Sequence, residues 1–285
     1  MSLGIKIKEP TLSVNQEWKK DEGNQFYTLL LKNNSSPILS VHHLSVTFPK
    51  KGRFFVKEQA ADQVLSDINF ELYQGKITAL VGESGSGKTT IGKTIVGLVR
   101  NFTGEFQFEG IVYNPLDMSH LRTEIQYIFQ DSLSALNPRM TAGQILNEIL
   151  LIHHSNENVD SILEQVELQG EVAGKYPYEL SGGQRQRVNI ARALAVNPQV
   201  LICDEVVSAL DVSIQAKILN LITRLVRERN LAILFITHDL NVVRAFVESI
   251  IVLSKGEIVE KGDALKIMDS PEHFYTKTLI AAMDF

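Results

Sequence analysis

Gly82-Glu83-Ser84-Gly85-Ser86-Gly87-Lys88-Thr89-Thr90 follows the apolar run Ile77 to Val81 and precedes Ile91, Ile95 and Leu98, which recur at helical spacing. A strand, a glycine-rich turn spelled GxxxxGK(S/T) and a helix, in that order, form an arrangement that wraps a phosphate. The glycines remove Cβ atoms that would clash, so successive backbone amides and the positive end of the helix dipole face negative charge. Lys88 is placed to bridge the β- and γ-phosphates of a nucleotide, and Thr89 offers a hydroxyl to the magnesium ion that travels with it. The competing reading is an ordinary glycine-rich turn, which requires neither the strand before it nor the helix after it.

A second apolar run, Val200-Leu201-Ile202-Cys203, ends in Asp204-Glu205. A buried strand delivers these two carboxylates at its C-terminal end, where the phosphate loop also opens. Asp204 is expected to hold magnesium through water. Glu205 is expected to orient and deprotonate the attacking water, since phosphoryl transfer needs an in-line nucleophile and charge stabilisation more than covalent help. By themselves, two acids at a strand end are a solvated terminus; beside the phosphate loop they form a metal ligand and a base.

Leu231 to Ile236 is a further buried-strand run, and the three runs together predict a parallel sheet in an α/β core. From Leu39 the sequence is strand-like, and Gly104-Glu105-Phe106-Gln107-Phe108-Glu109-Gly110 alternates polar and apolar residues, as in a small antiparallel sheet. Between Val212 and Arg229, Ile214, Ile218, Leu221, Ile222, Leu225 and Val226 share one helical face, with Arg227 and Arg229 at the negative end of the dipole. Ile250 to Leu253, the Lys255-Gly256 turn and Glu257 to Glu260 predict a terminal hairpin.

With 285 residues, 44% of them hydrophobic and 21% charged, the chain has the size and composition of one large folded domain. A net charge of -5, without a long run of Lys and Arg, argues against nucleic acid as a partner. Cys203, the single cysteine, lies in an apolar run and supplies no disulfide or zinc site from this chain alone. No stretch approaches the roughly 18 consecutive apolar residues of a membrane span, and Lys6, Lys8 and Glu9 interrupt any signal-peptide core. A reducing cytoplasm is the expected location. Asn33-Asn34-Ser35-Ser36-Pro37 marks a loop boundary after a polar stretch of mixed charge.

Leu180-Ser181-Gly182-Gly183-Gln184-Arg185-Gln186-Arg187 precedes the helical sequence Val188 to Ala195 and lies upstream of Asp204 and Glu205. With the phosphate loop, this combination resembles the ABC ATPase family. The resemblance implies a P-loop ATPase core with a parallel sheet, an antiparallel β subdomain and an inserted α-helical subdomain. It also implies ATP and magnesium as ligands, with Ser181, Gly182, Gly183 and Gln184 completing the ATP site of a second subunit. Four further positions match family roles: Phe48 for adenine stacking, Gln130 for magnesium contact, Asp211 in the loop between domains, and His238 for the γ-phosphate. On this basis residues 1–36 are an N-terminal extension, 37–265 the ATPase domain with its helical subdomain at about 131–197, and 266–285 a short tail.

Phe129 to Thr141 and Val207 to Ala216 are similar to the ATPases of oligopeptide, dipeptide and nickel permeases, and Ser181 to Arg187 to the second member of their ATPase pair. Ser270 to Lys277 resembles the start of that subfamily's tail. The resemblance implies an importer motor at the cytoplasmic face of the inner or plasma membrane. Its implied partners are another ATPase subunit, two permease subunits and an extracytoplasmic solute-binding protein. Its rivals are an exporter motor, an ABC ATPase without a membrane partner, which would show a second phosphate loop or a heptad-rich insertion, and a non-hydrolysing regulator, which would lack Glu205 or His238. Val206 departs from the family proline; valine removes a fixed backbone angle while keeping an extended preference.

Overall fold

The computed structural model describes residues 17–20, 27–30, 36–48 and 62–282, and it divides the chain into units 1–35 and 36–285. In the first unit β1 (Glu17–Lys20) pairs antiparallel with β2 (Tyr27–Leu30). The segment around Lys6, Lys8 and Glu9 and the boundary residues Asn33 to Ser35 lie outside the described residues, as do the last three of the expected tail.

The second unit begins with β3 (Leu39–Phe48), β4 (Asp62–Leu72) and β5 (Ile77–Val81), then α1 (Lys88–Ile95), β6 (Phe102–Phe108), β7 (Ile111–Tyr113) and β8 (Ile125–Ile128). Helices α2 (Ala142–Ile152), α3 (Val159–Gln165) and α4 (Gly182–Leu194) intervene before β9 (Val200–Asp204). The chain continues through α5 (Val212–Arg229), β10 (Ala232–Ile236), α6 (Leu240–Phe246), β11 (Ser249–Ser254), β12 (Glu257–Asp263), α7 (Ala264–Asp269) and α8 (Phe274–Ala281).

Six strands form the central sheet in the order β12-β11-β5-β10-β9-β8, with only the β11–β12 hairpin antiparallel. Every residue of β5, β9 and β10 is buried, which is why these strands read as unbroken apolar runs: helices cover both faces. The alternation of side chains across the sheet sorts the core into two halves. Val200, Ile202, Leu234 and Ile236 face α1 and the antiparallel sheet, whereas Leu201, Cys203, Ile233 and Phe235 face α4 and α5. Asp204 continues the α1-facing register, so the strand's own period aims its carboxylate at the phosphate loop.

Helix α5 has the bounds its periodicity predicts, and Ile218, Leu221, Ile222, Leu225 and Val226 are its buried stripe. Asp211 caps its start, and Asn230, at φ 53, ends it in the left-handed region that asparagine tolerates. Helix α1 lies so close to the sheet that a Cβ on Gly92 would meet Ile202 Cγ2 and Tyr127 Cε2 at 3.0 Å each. The glycine permits that approach.

The other sheet is antiparallel in the order β4-β3-β6-β7. Its strand β4 is not apparent as a strand from the sequence pattern. Asp67 within it takes a positive φ of 48, and its register against β3 slips repeatedly, which breaks the period-2 alternation. Helix α4 starts at Gly182, with Ser181 and the two glycines at its head and Val188 six residues further on. The Ser181–Gln184 capping box starts it there, outweighing the poor helix propensity of two glycines.

Candidate phosphate-binding site

The phosphate loop joins β5 to α1 through Gly82, whose φ of 150 and contact with Leu253 O, only 2.1 Å from a would-be Cβ, exclude a side chain there. No side chain among the described residues caps α1. Its first backbone bond, Ile91 N–H to Gly87 O at 3.0 Å, leaves the amides of Lys88, Thr89 and Thr90 without an acceptor among the described residues. The Ser86 hydroxyl is buried without a hydrogen-bond partner among the described residues. Polar groups left without a partner are costly once water is excluded unless an acceptor arrives, so this cradle fits a phosphate group.

Lys88 is buried, and its Nζ donates to the carbonyls of Gly82 and Glu83, both at 2.8 Å. Burial holds its pKa below the usual lysine value, although Glu205, Asp204 and Glu83 oppose that shift by attracting the charge. Across the cleft, Thr89 Oγ1 donates to Asp204 Oδ1 at 3.0 Å, and the Tyr127 hydroxyl donates to Asp204 Oδ2 at 2.6 Å. Tyr127 was not legible as a site residue. Its contact arises because β8 runs parallel to β9, setting Tyr127 beside Ile202 on the face that carries Asp204. Burial and the Asp204 carboxylate push its phenol far above the ordinary range.

Glu205 leaves the sheet at φ 48. Its Oε2 accepts from Gln130 Nε2 at 2.8 Å, and its Oε1 lies 3.2 Å from His238 Nδ1. Gln130 and His238, which lie on opposite sides of Glu205 in sequence, thus meet at its one carboxylate. Val206 lies beyond the end of β9. It occupies the first central position of a turn closed by Ser208 N–H to Glu205 O at 3.2 Å, with its side chain buried.

The other expected residues lie apart from this cluster. Ser181 caps α4, its Oγ accepting Gln184 N–H at 3.3 Å. With Gly183 and Gln184 it borders a cavity of about 320 Å³ shared with Gln169, Ile214 and Lys217, and no phosphate-loop residue lines that cavity. Phe48 is exposed at the end of β3. Asp211 accepts from Ser213 Oγ at 2.7 Å and from Ile214 N–H at 3.1 Å; the Ser213 bond is the main cause holding its carboxyl below the usual range.

A strand-loop-helix phosphate cradle facing a paired carboxylate strand, flanked by an antiparallel sheet and an inserted helical region, defines a phosphate-loop nucleotide-binding cassette. The sequence matches the family described as ABC transporter over residues 65–208, about half of the chain. It is 40% identical over 268 residues to the oligopeptide transport ATP-binding protein OppF of Haemophilus influenzae, covering 90% of this chain and 80% of that protein. It is also 42% identical over 259 residues to the glutathione import ATP-binding protein GsiA of Pectobacterium atrosepticum. That match takes in 88% of this chain and 42% of the relative, so the chain spans less than half of that protein's length. Among solved structures, the dimeric ATP-binding cassette MJ0796 in a post-hydrolysis state bound to ADP and Pi aligns at TM-score 0.67 and 29% identity, over 79% of this chain and 98% of that one. The cbiO1 protein of Clostridium perfringens shares the fold at TM-score 0.70 and 22% identity, over 87% and 99%. This chain belongs to the ABC transporter family.

Proposed function

We propose that the chain binds ATP with magnesium at the phosphate loop and hydrolyses it, as the motor subunit of an importer for peptides or a related small solute. The observation that carries the hydrolytic part is the Glu205 carboxylate held between Gln130 and His238, beside the Asp204–Thr89 pair. Lys88 exchanges its two loop carbonyls for the β- and γ-phosphate oxygens, and the free amides of α1 take the remaining charge. Glu205 accepts the proton of a water aligned with the γ-phosphorus; Gln130 and His238 keep the carboxylate in place while the bond to the leaving oxygen breaks.

The hard oxygen donors of Thr89, Asp204 and Gln130 suit magnesium. Both Asp204 oxygens already accept a hydrogen bond, so Asp204 fits a role through bound water. When bound, the ion would supply charge neutralisation for the phosphate groups. A magnesium titration of phosphate release tests this reading: the wild-type chain should need the ion, and its indifference to magnesium would overturn the assignment. In the same titration Tyr127→Phe should raise the half-saturating magnesium concentration about ten-fold, the lower end of what outer-shell partners contribute. An unchanged curve would reduce Tyr127 to packing.

The names of OppF and GsiA, one for oligopeptide transport and the other for import of glutathione, support the importer reading. In this reading the chain sits at the cytoplasmic face of the inner or plasma membrane with a second ATPase subunit, two permease subunits and, through them, a solute-binding protein. No helix among the described residues is long and apolar enough to cross the membrane itself, which leaves that task to the permeases. The separation of Ser181 from the phosphate loop supports a role toward the ATP of the other ATPase subunit. Ser181→Arg would set a bulky cation against that nucleotide, leaving Lys88 and Glu205 intact. In the assembled transporter, Ser181→Arg and Glu205→Gln should therefore disable different sites in site-resolved nucleotide trapping. Loss confined to the Lys88 site in both variants would exclude sharing.

A further inference from the structure

Helix α8 reaches back to the phosphate loop. Its start is anchored on β12, where the Glu260 carboxylate accepts the amides of Glu272 at 2.9 Å and His273 at 3.1 Å. Tyr275, Leu279 and Ile280 pack against the main core. From this docked position the Tyr275 hydroxyl accepts the backbone N–H of Glu83 at 2.9 Å, a contact across 192 positions in sequence.

The bond acts on one particular peptide unit. Glu83 N–H and Gly82 C=O belong to the same trans peptide, so the two groups point in opposite directions. Tyr275 holds one end, and Lys88 Nζ holds the other at 2.8 Å. Gly82 itself, without a side chain and at φ 150, imposes little preference on the orientation of that plane. An external partner has to set it.

We infer that Tyr275 is a positioning residue for the phosphate loop: its hydroxyl fixes the Gly82–Glu83 peptide plane, so that the loop meets ATP already ordered. This rests on the reading of the loop as an ATP site and adds the tail helix to it. A loop ordered before binding loses less freedom when the phosphates arrive. Among the described residues Tyr275 makes no hydrogen bond to Glu205, Gln130 or His238, so its effect falls on affinity and leaves the chemical step alone.

The test compares wild type with Tyr275→Phe, which keeps the ring and its packing but removes the acceptor. Calorimetric titration with ATP and magnesium, followed by steady-state hydrolysis, should show Kd and KM raised about three- to ten-fold, the range one hydrogen bond supports. The turnover number should stay within about two-fold of wild type, and the thermal midpoint should hardly move. An unchanged Kd and KM in a variant whose parent binds ATP overturns the role of Tyr275 while leaving the ATP site standing. A lower thermal midpoint with unchanged KM does the same, because it marks a purely structural contact. If wild type itself shows no affinity for ATP with magnesium, the reading of the loop falls, and this inference falls with it.

Discussion

Glu205→Gln will bind ATP and scarcely turn it over. Glutamine has the shape of glutamate, so it keeps hydrogen-bonding capacity toward Gln130 and His238, and the left-handed backbone at this position accepts it as readily as the native residue. What disappears is the capacity to take a proton from water. General-base catalysis contributes about 10²- to 10⁴-fold, and single-turnover phosphate release should fall by that factor. Calorimetric titration should return a wild-type Kd for ATP with magnesium, because neither the amides of α1 nor Lys88 has changed. Release within a few-fold of wild type would show that another group activates the water.

Lys88→Ala should have the complementary effect, acting on binding before chemistry. In the described structure the ammonium already makes two charge-assisted bonds, to Gly82 O and Glu83 O. ATP replaces these neutral acceptors with phosphate oxygens, whose full charge strengthens the interaction in a buried setting. Hydrogen bonds to charged groups contribute about 1.5 to 3 kcal/mol each. Loss of about 3 kcal/mol corresponds to roughly 10²-fold weaker affinity. Titration calorimetry or displacement of a fluorescent ATP analogue measures it directly. Affinity equal to wild type would mean that the amides alone hold the phosphates.

Legibility from sequence followed the range of the signal. Periodic signals confined to one element were readable: the buried runs of β5, β9 and β10, and the stripe of α5 down to its bounds. Strand β4 was not, because Asp67 and the slipped register against β3 interrupt its alternation. The start of α4 at Ser181 and its two glycines was also readable, because the Ser181-x-x-Gln184 capping box is a local signal. Within the site, the phosphate loop and the Asp204-Glu205 pair are contiguous motifs. Gln130 and His238 came through family resemblance, and only the fold puts them on Glu205. Tyr127 carries no pattern of its own in the chain, and Tyr275 lies within the Ser270 to Lys277 resemblance, which assigns it no role. Their relevance is a matter of strand pairing and helix docking, which set a phenol against Asp204 in one case and against the Glu83 amide in the other.

The left-handed backbone at Glu205 separates what is good for the fold from what is good for the reaction. A residue with a Cβ at φ 48 gives up about 1 to 2 kcal/mol that glycine would keep. Natural domains hold only about 5 to 15 kcal/mol against unfolding, so selection for heat resistance alone would favour replacing this residue. Libraries of this chain screened only for survival on heating should therefore be expected to accumulate inactive members at position 205. A screen meant to harden the protein needs turnover as a second criterion.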